Sequence, residues 1–454
     1  MSIKEKLVLL SPYILQNTAI TAYNTYQYKI RHGGKYKYFR KFYSKADNFS
    51  KDKLAKEIAK KKGEFFSFVK ANSQWYEDFN FSDLSSNPIL NKEDIINNLE
   101  SIKTLDEKDG LVSLTGGTTG ASMKVIYTKK DMQERFAILD HFRAQHGYKL
   151  GKKTAWFSGK NLISEEHLRK GICSHYDFIN KIRFYSTFHI NQRNFDIYWS
   201  SLTQFQPEFI VGFPSSIYEI CEIADRKGLK LRNNVKVFFP TAETVLPEHR
   251  ELISKVMGCK IVDQYASSEG APFILECSAG ALHIHPLTGI FEVVDDNLQP
   301  SLDGEMLVTS FTTHGTPLVR YRIGDGLKLA SSNVRCPCGS HFPLVESING
   351  RTTDYILSPT HGKVNLGNIS NSTKNIEGII KFQVLQNNLD KVKVLIVSNE
   401  NFTQAQNQKF KAALEERFGP KLLIEIELVE NIPKEKSGKF RLVKNTLDPQ
   451  NARI

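Results

Sequence analysis

Two short strand-like runs, at 111–114 (LVSL) and 124–128 (KVIYT), hold between them the stretch 113–124, SLTGGTTGASMK. It contains Gly116, Gly117 and Gly120 with Thr115, Thr118 and Thr119. The glycines make the middle of this stretch a loop carried between the two strands. Its backbone can turn sharply and come close to a ligand. Successive N–H groups can converge into an anion nest, threonine hydroxyls add donors, and Lys124 adds a cation. That chemistry suits a polyphosphate. The loop is not of the G-x-x-x-x-G-K-[S/T] type, because that string is absent and a strand rather than a helix follows. The plainer alternative is a glycine-rich surface turn.

The rest of the chain sets the context for this loop. With 454 residues it exceeds what one hydrophobic core supports, so two or three domains are expected. A net charge of +12 raises nucleic acid or membrane as partners. The basic residues look spread along the chain, with clusters at 35–40 and 60–62, and no recognition motif accompanies them. Nucleic acid is therefore not expected, and an anionic cofactor would exploit the same field. Cys173, Cys221 and Cys259 sit in apolar or helical contexts, and nothing suggests a disulfide framework. The apolar patch at 7–14, broken by Pro12, is too short to span a membrane and precedes no cleavage signal. A cytoplasmic location is the default.

Residues 1–110 read as mostly helical and polar. A Tyr-, Lys- and Arg-rich stretch at 23–43 reads as an exposed or covering helix, or as a contact for a partner or membrane surface. A helix at 91–102 would deliver the chain to the glycine loop. Beyond the loop, 130–146 has helical periodicity, while 154–158 and 181–189 have strand patterns. A strand at 209–212 runs into a helix beginning at 214–216 and ending at Gly228, half of an α/β unit. The strand 235–240 leads into Thr241, Ala242, Glu243 and Thr244. Ligands in open α/β sheets sit beyond the carboxyl ends of strands, so these are pocket candidates.

The strand 260–265 is followed by Ala266-Ser267-Ser268-Glu269-Gly270, where a carboxylate can hold Mg2+ or merely cap a helix. The β-patterned runs 304–311 and 318–323 lead to Gly324-Asp325-Gly326. There Asp325 can accept from the two vicinal hydroxyls of a ribose, or the three residues can simply close a hairpin. A smaller domain is expected from Gly350 and Arg351 onward. It has strands at 381–386, 391–397 and 422–428 and an amphipathic helix at 403–418. Thr403 and Gln406 would form its capping box, and Gly419-Pro420 would stop it. A basic loop, 433–441 (PKEKSGKFR), follows, and its Ser437-Gly438 bend holds out Lys439. No internal repeat is present.

In order and spacing these fragments resemble the adenylate-forming superfamily of acyl-CoA synthetases, luciferases and adenylation domains. TGGTTG at 115–120 is similar to that family's T-S-G-T-T-G phosphate loop, and Tyr265-Ala-Ser-Ser-Glu269-Gly to its Y-G-x-T-E motif. Tyr321-Arg-Ile-Gly-Asp325 resembles Y-R-T-G-D, Gly350-Arg351 the inter-domain hinge, and 433–439 (PKEKSGK) the terminal P-x-x-x-S-G-K. The resemblance covers roughly residues 90–445, on the same motif-in-context logic used for other nucleotide sites. The segment PEFIVGFPS at 207–215, the TAET at 241–244 and the cysteine group are most similar to the phenylacetate–CoA ligase-like and capsular-polysaccharide-type branch.

The resemblance implies an α/β fold: a large N-terminal α/β domain with parallel-rich sheets plus a small mobile C-terminal α+β domain. The boundaries are 1–350, with 1–90 a helical leader, and 351–454. It also implies that a carboxylate attacks the α-phosphate of ATP, giving an acyl-adenylate and pyrophosphate, and that a nucleophile then takes the acyl group. Thr115, Gly116, Gly117, Thr118, Thr119 and Gly120 would cradle the β- and γ-phosphates. Glu269 would hold Mg2+, with Ser268 near the phosphate. Tyr265 and the backbone of Ala242, Glu243 and Thr244 would flank adenine. Asp325 would bind the ribose and Arg351 would approach ribose or phosphate. Lys439 would bridge carboxylate and α-phosphate once the small domain closes. Thr118, Glu269 and Lys439 would thus carry the catalysis. Two departures stand out. Ala121-Ser122-Met123 replaces a K-P-K continuation, leaving Lys124 as the nearest cation. Thr353, followed by Asp354, stands where the hinge carries Asp or Lys, which bears on CoA use.

Cys336-Pro-Cys338-Gly is a knuckle of the kind that binds zinc. Cys277 and either His283 or His285 could complete a tetrahedral, structural site. Reduced cysteines in a tight turn are the alternative. The expected function is ATP-dependent activation of a small carboxylic acid, with CoA as first-choice acceptor. Transfer to an amine or hydroxyl, as on a surface polysaccharide, is the second choice. A non-catalytic nucleotide-binding scaffold is the third, and Glu269, Asp325 and Lys439 together argue against it. Tyr185, Phe188, Phe213, Phe238, Phe239 and Ala242 are expected pocket walls.

Overall fold

Three helices, α1 (Tyr13–His32), α2 (Tyr36–Ala46) and α3 (Lys51–Asn72), come first among the described residues of a computed structural model. It describes residues 11–116, 122–159, 163–231, 235–295, 297–331, 333–349, 355–432 and 441–447. Ser50 caps α3 by accepting from the Lys53 N–H. Phe39, Tyr43, Phe49 and Leu54 pack against Ala137 and Ile138 of α4 (Lys129–Gln145). A reciprocal capping box starts α4: Thr128 Oγ1 accepts from the Asp131 N–H at 3.0 Å, and Asp131 accepts from the Thr128 N–H at 3.1 Å.

Strands β1 (Leu111–Gly116) and β2 (Ser122–Tyr127) form an antiparallel hairpin, with Leu111 opposite Tyr127 and Gly116 opposite Ser122. The glycine loop therefore runs from strand to strand. Its tip, 117–121, lies outside the described residues.

Strands β3 (Thr154–Ser158), β4 (Ser174–Asp177), β5 (Ile182–Ser186), β6 (Phe209–Gly212), β7 (Val237–Pro240) and β8 (Lys260–Ile261) form a six-stranded sheet in the order β4-β5-β3-β6-β7-β8. Every neighbouring pair is parallel except β4 with β5. Helices α5 (Phe195–Phe205), α6 (Pro214–Arg226) and α7 (Pro247–Met257) cover one face. Ala155, Phe157, Ile210 and Phe238 point into the core under them, while Phe209, Val211, Val237 and Phe239 enter a second core with Phe142 of α4. A strand buried on both faces reads as a continuous apolar run. Phe238 and Phe239 thus fill the two cores instead of lining a pocket. Gly212 has φ +155°, and a Cβ there would lie 2.4 Å from the Phe157 carbonyl oxygen, so only glycine lets β6 end this close to β3.

Strands β9 (Gln264–Tyr265), β10 (Ile274–Glu276), β11 (Leu282–Ile284), β12 (Gly289–Val294), β13 (Asp303–Ser310), β14 (Tyr321–Leu329) and β15 (Leu344–Asn349) form a seven-stranded sheet. All its pairs are antiparallel. The single strand expected at 260–265 is divided between the two sheets. The Val262 N–H donates to Phe238 O, whereas the Glu276 N–H donates to Asp263 O, so the chain changes sheets between them. Likewise, β14 does not turn at 324–326. Glu305 faces Gly326 while Leu307 faces Arg322, so residues 323–325 bulge out of the ladder with Gly324 at φ +84°. Bulges re-aim side chains, and Asp325 stands on this one.

The remaining strands are the hairpin β16 (Tyr355–Ser358) and β17 (Gly362–Asn365), then β18 (Ile379–Asn388), β19 (Lys391–Ser398), β20 (Leu423–Leu428) and β21 (Val443–Asn445). The last four form a sheet in the order β20-β19-β18-β21. Helices α8 (Leu366–Ser370) and α9 (Gln404–Phe418) belong to this region. Phe382, Val384, Ile396, Phe410, Leu414 and Phe418 form its own core. Thr403 caps α9, but the Gln406 side chain accepts from the Glu377 N–H through Oε1 at 3.3 Å instead of closing the expected box. The expected α/β class, with a parallel-rich sheet and a C-terminal α+β region, is the class observed. The hinge, 350–354, lies outside the described residues.

Candidate active site

The β1–β2 hairpin is fastened to the loop 266–271 that follows β9. Tyr127 Oη donates to the Ser268 carbonyl at 2.9 Å, and Ser113 Oγ approaches the same oxygen at 3.4 Å. Beneath them lies Arg135 of α4, a buried guanidinium. Its Nη1 donates to Gly270 O at 2.9 Å, Ala271 O at 3.1 Å and Thr312 Oγ1 at 2.9 Å. Charge-assisted donation to several carbonyls stiffens a loop that has little secondary structure. Gly270, at φ +99°, closes it against Tyr127, where a Cβ would lie 2.7 Å from the phenol oxygen. Ser268 and Glu269 are thereby held beside the strands that carry the glycine loop.

Tyr265, at the head of the same loop, donates from Oη to Asp325 Oδ2 at 2.8 Å. Two motifs far apart in sequence thus meet through one hydrogen bond. Gln264 ties the neighbourhood to the parallel sheet: its Nε2 donates to Pro240 O at 3.1 Å, and its Oε1 accepts from Arg143 Nε at 3.2 Å. Pro240 ends β7, so Thr241, Ala242, Glu243 and Thr244 begin beside Tyr265. Ala242 has φ +66°, an uncommon conformation for a residue with a Cβ and one that gathers at functional sites. The Glu243 carboxylate accepts from both the Ser215 N–H and Ser215 Oγ at 3.0 Å, which places it at the N-terminus of α6. Burial pushes its acid up to about 7, against the lowering effect of the Ser215 donors.

At the foot of the glycine loop, Thr115 is buried and its Oγ1 has no hydrogen-bond partner among the described residues. Lys124 pairs with Glu107 at 2.5 Å. Thr118, Gly117, Thr119, Gly120, Arg351 and Lys439 lie outside the described residues. Among those described, Tyr265 meets Asp325, and Ser268, next to Glu269, is tied to the hairpin whose first strand carries Thr115. Arg135 and Gln264, which hold the loops in place, were not singled out in the sequence, where nothing separates them from any other helical Arg or strand Gln.

A second cluster lies at the outer end of the antiparallel sheet. Cys277, His283, Cys336 and Cys338 present ligand atoms within 4.8 Å of one another. Cys277 Sγ is 3.6 Å from Cys336 Sγ, and Cys338 Sγ is 3.5 Å from His283 Nε2. His283 Nδ1 lies 3.0 Å from Phe342 O, so a proton on Nδ1 leaves the Nε2 lone pair facing the thiols. Burial lowers the His283 pKa and favours the neutral ring. His285 points elsewhere, against Tyr43 and Phe342. The imidazole in this group is therefore His283.

The two sheets, the hairpin and the C-terminal α+β region make the fold of adenylate-forming ligases. A solved 2-hydroxyisobutyryl-CoA ligase, in complex with 2-HIB-AMP and CoA, shares the fold at a TM-score of 0.59, with 16% identity over 88% of this chain and 91% of that one. Sequence relatives include indoleacetate–lysine synthetase of Pseudomonas savastanoi, 25% identical across 56% of this chain and 63% of its own length. Phenylacetate–coenzyme A ligase of Pseudomonas putida is 24% identical across 61% and 62%. The family described as CapK C-terminal domain matches residues 356–446. Protein CapK of Staphylococcus aureus is 32% identical over 401 residues, 85% of this chain and 87% of its own. The chain belongs to the CapK family, within the adenylate-forming superfamily.

Proposed function

We propose that the protein activates a small carboxylic acid with ATP as an acyl-adenylate, releases pyrophosphate, and passes the acyl group to CoA. The observation that carries this reading is the Tyr265–Asp325 hydrogen bond beside a loop fastened to the glycine-bearing hairpin. Tyr265 holds the Asp325 carboxylate in place, and that carboxylate would accept from ribose hydroxyls. The orphaned Thr115 hydroxyl suits a phosphate oxygen, with the loop 116–120 supplying N–H donors. Glu269 would hold Mg2+, which neutralises charge building on the leaving pyrophosphate. Lys439, brought in by the domain 351–454, would stabilise the α-phosphate during attack. The four-ligand Cys/His group, three thiols and one imidazole, fits a closed structural zinc site.

A second reading, transfer to an amine, draws on the relative named as an indoleacetate–lysine synthetase. ATP–pyrophosphate exchange across a panel of acids tests the common first step. At least one acid should drive exchange, and Lys439→Ala should abolish it while leaving the fold intact. Exchange that survives this change removes the role given to Lys439. Consumption of CoA against release of a new amide then separates the acceptors.

A further inference from the structure

Helix α1 is packed inside out. Its fully buried side chains are the polar Gln16, Asn17 and Thr21, and each is engaged. Gln16 Nε2 donates to Ser11 O at 2.8 Å, Asn17 Oδ1 accepts from the Tyr176 N–H at 3.1 Å, and Thr21 Oγ1 accepts from the Phe178 N–H at 3.1 Å. Asn24 donates to Asp177 at 2.9 Å. The outward face holds Leu15, Tyr23 and Tyr26, which are 54%, 57% and 61% exposed, while Ile14, 67% exposed, projects from a different side at the start of the helix. At about 100° per residue, Leu15, Ala19, Tyr23 and Tyr26 fall within an arc of roughly 80°. The turn held by Thr21 adds the exposed Phe178 and Ile179. An ordinary surface helix has the reverse arrangement, and a contiguous exposed apolar face marks an interaction site.

The charge has its own geography. Residues 11–46 contain seven Lys and Arg and no Asp or Glu. Across 11–72 there are fourteen basic residues against four acidic, whereas the rest of the chain has forty-seven against forty-five. Nearly the whole net charge thus resides in the region of α1, α2 and α3, although the basic residues look spread in a linear reading. Lys29 stands at the end of the apolar face, and across Gly33-Gly34 the exposed Lys35, Lys37 and Lys41 flank the exposed Tyr38.

We propose that α1 and α2 dock this protein on an anionic phospholipid bilayer. Leu15, Ala19, Tyr23 and Tyr26 enter the headgroup boundary, and Lys29, Lys35, Lys37 and Lys41 face the lipid phosphates. Tyrosine suits that boundary because its ring is apolar and its hydroxyl is wet. Nucleic acid fits less well, because the exposed face of α1 carries no charge before Lys29 and phosphate binding needs bases along the contact. A second copy of the chain would bring like charges together. The contact is peripheral, since among the described residues no helix is long and apolar enough to cross a membrane.

The inference is independent of the adenylation chemistry, and so is its test. The full chain is sedimented with phosphatidylcholine vesicles containing about 30 mol% phosphatidylglycerol, and with phosphatidylcholine alone. Binding to the anionic vesicles only is expected, falling several-fold when salt rises from about 50 to about 500 mM. Leu15→Glu/Tyr23→Glu/Tyr26→Glu should lower binding about tenfold or more at an unchanged Tm, because these side chains are exposed. Lys37→Glu/Lys41→Glu should weaken it separately. Equal binding by the triple variant, or no binding to either vesicle, overturns the proposal. So does tighter binding to duplex DNA, or a wild-type dimer that the triple variant converts to monomer.

Discussion

Tyr265 and Asp325 are 60 positions apart in the chain and 2.8 Å apart in space. A hydroxyl aimed at a carboxylate limits that carboxylate's freedom before any ligand arrives. Tyr265→Phe should therefore keep the fold and raise the KM for ATP roughly 3- to 10-fold, the worth of one ordinary hydrogen bond. If Asp325 binds the ribose as proposed, Asp325→Ala should cost more, on the order of 10- to 100-fold in kcat/KM. Pyrophosphate exchange measures both. Glu243 makes a prediction about pH. Burial raises its folded pKa to about 7 from an ordinary 4.5, so the folded protein keeps a proton that the unfolded chain releases. This group's contribution is intact below the unfolded value, declines as pH rises from about 4.5 to about 7, and is level above. Glu243→Gln should remove that slope, with wild type losing roughly 2 kcal/mol relative to the variant after allowance for partial exposure. Urea midpoints at about pH 5 and pH 8 check it.

Among the elements, the parallel strands were legible because burial on both faces makes them short apolar runs punctuated by glycine and proline. Gly212 is such a stop, and its reason is steric. Gly212→Ala would drive a Cβ into the Phe157 carbonyl and should destabilise by roughly 2–4 kcal/mol, measured by denaturant unfolding. Helix α9 was legible from its cap. Thr403→Ala should cost about 1 kcal/mol. Less legible were the division of 260–265 between two sheets and the bulge at 323–325. A strand pattern records which residues alternate, and not which neighbour each half will meet. The Arg135 clamp was silent for the same reason, since its partners are backbone carbonyls of another element.

For the molecule as a whole, the Cys/His group brings β11 together with the segments around Cys277 and 336–338, and a metal there would staple them. If it holds zinc, purified protein should contain about one zinc per chain, and chelation should lower Tm. Cys277→Ser should reduce both the metal content and the Tm. The sequence by itself determined the kind of fold and the order of the glycine-loop, Tyr265–Glu269 and Tyr321–Asp325 motifs, because strand periodicity, glycine loops and caps are local properties of the chain. Only the tertiary structure decided that Tyr265 serves Asp325, that His283 rather than His285 joins the thiols, and that α1 turns its apolar face outward. Those outcomes depend on which surfaces meet across long separations in the chain. Contacts of that kind are set by packing, and a linear pattern does not encode them.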